Sequence, residues 1–185
     1  MPRPKTVSDD DVLNAAIEVL ARVGADFTLT EVARAIGLSR PTLIQRFGDK
    51  EGLLRSMAEQ EVKATAAWLE TLPVETGPEG LDQFLSTIVL GMGSGSGFSA
   101  RVAIAAFEAR DPMLRCLSAQ RYALVIDAIS DRLPPGPDRA ELAVHLHSVI
   151  AGATMHWVAS PQTEDLGEFV LARVRWITGR LLETP

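Results

Sequence analysis

Apolar residues in the first third of the chain recur at helical spacing, and glycines interrupt them at regular points. Val12, Ala16, Val19, Leu20 and Val23 fall on one face of a first helix. Ser8 caps that helix, Asp9, Asp10 and Asp11 fill its first turn, and Gly24 suits its end. Thr28 and Glu31 have the T-x-x-E spacing of a capping box, so a second helix starts there. It turns Val32 and Ile36 inward and stops at Gly37, which supplies a left-handed residue. Ser39 caps a third helix, with Pro41 in the first turn, where a missing N–H costs little. Leu43 and Phe47 anchor this helix inward and Gly48 ends it. Asp49 caps a fourth helix that carries Leu53, Leu54, Met57, Val62 and Leu69 to about Thr71. Pro73 and the stretch PVETGPEG then break the chain.

Further helices are predicted over roughly 79–92 and 99–110, from Asp111-Pro112 to about Arg132, from Asp138 to about Val158, and from the SPQTEDLG loop to about Leu182. GMGSGSG (91–97) and LPPGP (133–137) separate them. No alternating strand pattern and no internal repeat is present. The expected fold is all-α with about nine helices. A three-helix helix-turn-helix domain is expected over 1–57 and a helical regulatory domain over 58–185.

Two short helices joined by a tight turn and followed by a capped helix have the shape of a helix-turn-helix DNA reader. With Leu43 and Phe47 inward, the third helix turns Arg40, Thr42, Gln45 and Arg46 outward. Arginine can bond guanine bidentately and glutamine adenine, while Pro41 and Thr42 offer apolar contact to thymine. Thr28, Ser39 and Lys50 lie at or beside helix starts, where backbone N–H groups favour phosphate. The competing reading is a structural helical hairpin with solvated charges. Caps, turn glycine, the small Ala33 and exposed donors agree on the reader instead.

Charge looks adverse at first, since the formal net charge is −6. Its distribution removes the difficulty. Residues 1–57 hold eight Lys or Arg and eight Asp or Glu, so the acidic excess lies beyond them. That remainder is not expected to lie along DNA. Residues 1–7 read as a loose arm bearing Arg3 and Lys5. The single cysteine, Cys116, forbids an internal disulfide, fits a reducing compartment and is read as a packed thiol. No signal peptide and no transmembrane run is apparent, so a cytoplasmic protein without a membrane partner is expected. G-x-S-x-G, H-E-x-x-H, a Walker loop and a carboxylate–histidine cluster are all missing, which argues against an enzyme.

Residues 9–57 resemble the DNA-binding domain of the tetracycline-repressor-like (TetR) family of bacterial regulators. AAIEVLARVG is similar to that family's first helix, and TLTEVARAIGLSRPTLIQRFGDKEGLL to the second, the third and the start of the fourth. The F-x-x-K spacing of Phe47 and Lys50, followed by Leu53-Leu54, is among the more specific parts. The resemblance implies that Thr28 and Lys50 hold phosphates, and that Thr30, Arg40, Pro41, Thr42 and Gln45 approach bases. Arg46 falls where the family often places a phosphate contact. One departure is clear: the family's frequent tyrosine after the Thr-Leu pair is Ile44 here. This exchanges a phenolic hydroxyl for an apolar group that can touch a thymine methyl or simply pack.

The resemblance further implies a ligand-responsive repressor acting as a homodimer on a palindromic operator in double-stranded DNA, within the bacterial cytoplasm at the nucleoid. The implied effector is a small molecule, and no cofactor is implied. Trp68, Phe84, Ile88, Phe98, Phe107, Met113, Tyr122 and Met155 are the candidate pocket walls. His145, Ser148, Gly152 and His156 on the helix after LPPGP, with Phe169, Val174, Ile177 and Leu181 on the last one, are the candidate dimer interface. His145 and His156 stand too far apart to chelate one ion within a chain, even with Glu141 four residues before His145, so no metal is expected. Two other classes compete. One is a helix-turn-helix-derived protein-interaction module that has lost specific DNA binding, favoured by Ile44 and the neutral N-terminal charge. The other is a helical-bundle enzyme.

Overall fold

The computed structural model describes residues 7–91, 103–161 and 163–182, with side chains as far as Arg180. The described elements are α1 (Asp9–Val23), a 3-10 turn (Gly24–Asp26), α2 (Leu29–Ala35), α3 (Arg40–Phe47), α4 (Lys50–Glu70), α5 (Pro78–Gly91), α6 (103–108), α7 (Pro112–Ser130), α8 (Arg139–Val158) and α9 (Leu166–Leu182). No strand occurs among the described residues. The Arg3 and Lys5 arm and most of the Gly/Ser run after Gly91 lie outside them.

The helix starts form where side chains replace missing backbone partners. Ser8 Oγ accepts from Asp11 N at 3.1 Å, and the Asp11 carboxylate accepts from Ser8 N at 2.9 Å. Asp49 Oδ1 accepts from Gly52 N, Asp111 Oδ1 from Met113 N and Asp165 Oδ1 from Gly167 N, each at 2.8 Å. Gly37, at φ 71°, sits in the left-handed region that ends α2. Leu38 N then reaches back to Ala33 O at 2.9 Å, the long bond of a Schellman stop.

The contacts divide the chain into two compact units. The first comprises the chain up to Ala64 and a second stretch ending at Ala119; the other begins at Thr65 and again at Gln120. This differs from a division at residue 57. The difference arises because residues around α6 and the start of α7 pack on the N-terminal helices. Leu114 joins a buried cluster built from Val12, Ala16, Leu20, Val32, Leu43, Leu53 and Met57, with Ile104 and Phe107 partly buried against it. Arg55 Nη2 also pairs with Asp111 Oδ2 at 2.8 Å. Burial pushes the Asp111 carboxyl up, but bonds from Arg55 and from the Met113 and Leu114 backbone outweigh it and hold the carboxyl below its ordinary range.

In the second unit α9 packs on both α5 and α8. Leu81, Phe84, Leu85, Ile88 and Val89 of α5, Leu146 and Ile150 of α8, and Phe169, Val170 and Val174 of α9 are buried there. Arg175 forks onto Asp82 with Nε–Oδ1 at 2.8 Å and Nη2–Oδ2 at 3.0 Å, tying α9 to α5. That bidentate bond raises the arginine above its ordinary value.

Candidate nucleic-acid interface

The third helix owes its orientation to one buried residue. Leu43 is fully buried and Phe47, four residues on, is half-buried. The opposite face carries Arg40, Pro41, Ile44 and Gln45, all exposed. Residues four apart are neighbours on a helix, so Arg40 precedes Ile44 and Pro41 precedes Gln45 in two adjacent rows. Arg40 and Gln45 make no hydrogen bond or ion pair among the described residues, which leaves their donors available. Thr30 is likewise exposed, near the start of α2.

The remaining candidates are already engaged within the unit. Ser39 Oγ accepts from Thr42 N at 3.2 Å and lies 2.8 Å from Thr42 Oγ1, so both hydroxyls serve the cap of α3. Thr28 gives its N–H and its hydroxyl to Glu31 Oε2, each at 2.8 Å. These bonds hold the Glu31 carboxyl below its ordinary range, the hydroxyl bond contributing most. An ionised carboxylate thus takes the Thr28 donors expected for a phosphate.

Arg46 and Lys50 differ most from expectation. Arg46 Nε donates to Asp9 Oδ1 at 2.6 Å, and its Nη1 donates to the Val7 carbonyl at 3.1 Å. Its guanidinium therefore braces α3 against the start of α1. Lys50 Nζ donates to the Ala25 carbonyl at 2.7 Å and lies 4.4 Å from the Phe27 ring centroid and 5.1 Å from that of Phe107. In this position the ammonium links α4, the turn after α1 and α6 through a hydrogen bond and two cation–π contacts. Sequence reasoning missed both arrangements. Asp9 read as a first-turn complement to the helix dipole, and no local pattern connects residues 37 or 25 positions apart.

The candidate pocket residues are divided between the two units. Phe107 and Met113 belong to the first unit; Trp68, Phe84, Ile88, Tyr122 and Met155 belong to the second. Phe84 and Ile88 are core residues of α5, whereas Met113 and Met155 are more than half exposed. Tyr122 is exposed and stacks on His147, with ring centroids 4.9 Å apart. Phe98 lies outside the described residues. A larger opening is a groove of about 530 Å³ between α8 and α9, lined by Val149, Gly152, Ala153, His156, Ala172, Arg173, Trp176 and Ile177.

That groove brings together three of the expected interface residues, Gly152, His156 and Ile177. His145 is exposed beside Glu141, at 3.6 Å, and Ser148 is exposed with its hydroxyl on the Val144 carbonyl at 2.8 Å. Phe169 and Val174 correct the expectation: they are 5% and 1% exposed, buried within the chain's own core, so neither is presented to a partner. The Leu181 side chain lies outside those described. Trp176, not anticipated, is 64% exposed at the groove. Among the described residues no helix is long and apolar enough to cross a membrane, and no group of three His, Cys, Asp or Glu could hold a metal ion.

Residues 12–57 match the sequence model of the family described as bacterial regulatory proteins, tetR family. No curated protein is matched by the sequence. Solved structures share the fold. A transcriptional regulator from Rhodococcus sp. RHA1 aligns with a TM-score of 0.82 at 19% identity, over 95% of this chain and 96% of that one. A TetR-family transcriptional regulator structure from Mesorhizobium loti aligns with a TM-score of 0.73 at 20% identity, over 93% and 95%. The multidrug binding protein EbrR, complexed with ethidium, aligns with a TM-score of 0.71 at 19% identity, over 95% and 99%. Residues 12–57 are therefore similar to the domain of the bacterial regulatory proteins of the tetR family, and the chain shares the fold of these solved structures.

Proposed function

We propose that this chain, whose N-terminal segment belongs to the tetR family of bacterial regulatory proteins, is a ligand-responsive, homodimeric repressor that binds a palindromic operator. The observation that carries the reading is the outward face of α3, where Arg40 and Gln45 stand exposed, with no partner among the described residues, on a helix fixed by Leu43. In the major groove Arg40 would bond a guanine and Gln45 an adenine. Thr30 and Pro41 would also approach bases, and Ser39 and the helix starts would set the approach to the backbone. Arg46 and Lys50 act first as braces that hold this face in position.

The α8–α9 groove, with Trp176 exposed on it, supports pairing of two copies about a two-fold axis. A dimer would place its two α3 helices in successive major grooves, about 34 Å apart. That EbrR is complexed with ethidium supports a small apolar or amphipathic effector for this chain as well. Such a ligand would act through its differential affinity for the DNA-competent and incompetent dimers. The place of action is the cytoplasm, at the nucleoid.

The test is Arg40→Ala on a duplex enriched from random sequence by the purified protein. The expected loss is about 1–3 kcal/mol on the enriched duplex, with little change on random DNA. An equal loss on both would make Arg40 a phosphate contact and would undo its assignment as a base reader.

A further inference from the structure

Ile44 is the one large apolar side chain on the outward face of α3, and it is 39% exposed. Its neighbours on that face are polar or small: Arg40 one turn before it, Gln45 beside it, and Pro41 on the adjacent row. The inward face of this eight-residue helix is formed by Leu43 and Phe47, and Ile44 is not part of it. An isolated exposed isoleucine is ordinary on a protein surface. Here its surroundings are not ordinary, since it stands beside Arg40 and Gln45, two exposed donor side chains that make no hydrogen bond or ion pair among the described residues. Along the major groove the apolar feature on base edges is the C5 methyl of thymine.

We propose that Ile44 is a specificity-determining residue that reads a thymine methyl in each half-site, next to the base bonded by Arg40. The inference rests on α3 being the base-reading helix. A hydroxyl at this position could be satisfied by water or phosphate as well as by a base. The branched apolar group instead gains only where water is displaced from another apolar surface. It therefore rewards thymine over cytosine at one base pair.

The experiment replaces each thymine of the enriched duplex in turn by deoxyuracil, which keeps the pairing edge and lacks the methyl. Affinity is measured for the wild-type protein and for Ile44→Ala at one salt concentration. One position per half-site is expected to lose about fourfold with the wild type, the worth of one buried methyl. Substituting both half-sites together should lose about sixteenfold. Ile44→Ala should bind the thymine and deoxyuracil duplexes equally at that position, while its melting temperature stays near that of the wild type. The wild-type scan needs no variant, so a folding defect in Ile44→Ala would not protect the proposal. Should the wild type lose nothing at every position, or should Ile44→Ala lose as much as the wild type, the methyl-reading assignment falls and the DNA-reader assignment stands. Failure of any sequence to be enriched removes both.

Discussion

Replacing Gly52 by alanine is expected to unseat the base-reading helix. Gly52 is the third residue of α4, and its N–H closes the Asp49 cap at 2.8 Å. A Cβ built there would lie 2.0 Å from the Phe47 carbonyl oxygen and 3.2 Å from its carbon. The obstacle is backbone at the last residue of α3, so no side-chain rotation relieves it. Either α4 moves away from the end of α3 by more than an ångström or the cap opens. Overpacking of this kind costs about 1–3 kcal/mol, and here the displaced segment carries Phe47 and, through it, the outward face of α3. Gly52→Ala should therefore lower the melting temperature and weaken operator binding together. Gly179 provides the control: it lies in α9 with nothing within 4 Å of a built Cβ, and alanine there should be tolerated. A Gly52→Ala protein with unchanged melting and unchanged DNA affinity would contradict the close approach of α3 and α4.

Arg132→Met should produce a loss of similar size in the second unit. Arg132 is 2% exposed, and among the described residues no carboxylate is hydrogen-bonded to its guanidinium. Nε donates to the Pro73 carbonyl at 3.1 Å, Nη2 to the Leu72 carbonyl at 3.3 Å and again to Pro73, and Nη1 to the Ala128 carbonyl at 2.7 Å. Its plane lies 3.8 Å from the Phe84 ring centroid. One side chain thus ties the segment after α4 to the end of α7 and covers α5. Burial lowers its affinity for the proton, opposed by nearby Asp131, yet an arginine stays charged at any physiological pH. Methionine fills much of the volume but leaves the carbonyls without their donors. The expected cost is about 2–4 kcal/mol, or about 5–15 °C in melting temperature for a chain of this size. Arg132→Lys should recover only part of it, because a single ammonium cannot span carbonyls reached by three separate nitrogens. Full recovery by lysine would mean that charge, not the planar fork, is what the site needs.

The N-terminal helices were legible because each start is written locally. Ser8, Thr28, Ser39 and Asp49 precede their helices by one residue, and all four side chains form the caps. Gly37 marked the stop of α2 because that position needs a positive φ. The exposure of Arg40 and Gln45 on α3 followed from the inward spacing of Leu43 and Phe47, whereas Thr42 and Arg46 are half-buried. What escaped the sequence was non-local. Asp111, Leu114 and Phe107 return to the first compact unit after a long excursion, and helical spacing does not say which helix a face meets. Phe84 and Ile88 have the spacing of either core or pocket wall, Phe169 and Val174 that of either core or interface, and all four are buried in the core. Arg46 and Lys50 looked like free cations because their partners, Asp9 and the Ala25 carbonyl, carry no signal at a distance.

The most direct test of a base-reading α3 compares wild-type binding to a duplex enriched from random sequence with binding to a shuffled duplex of the same composition, at two salt concentrations. The account predicts at least about a thousandfold preference for the enriched duplex and a steep loss of affinity with salt on both. Equal, weak affinity for the two duplexes at low salt would contradict it, and would assign the exposed face of α3 to a protein partner instead.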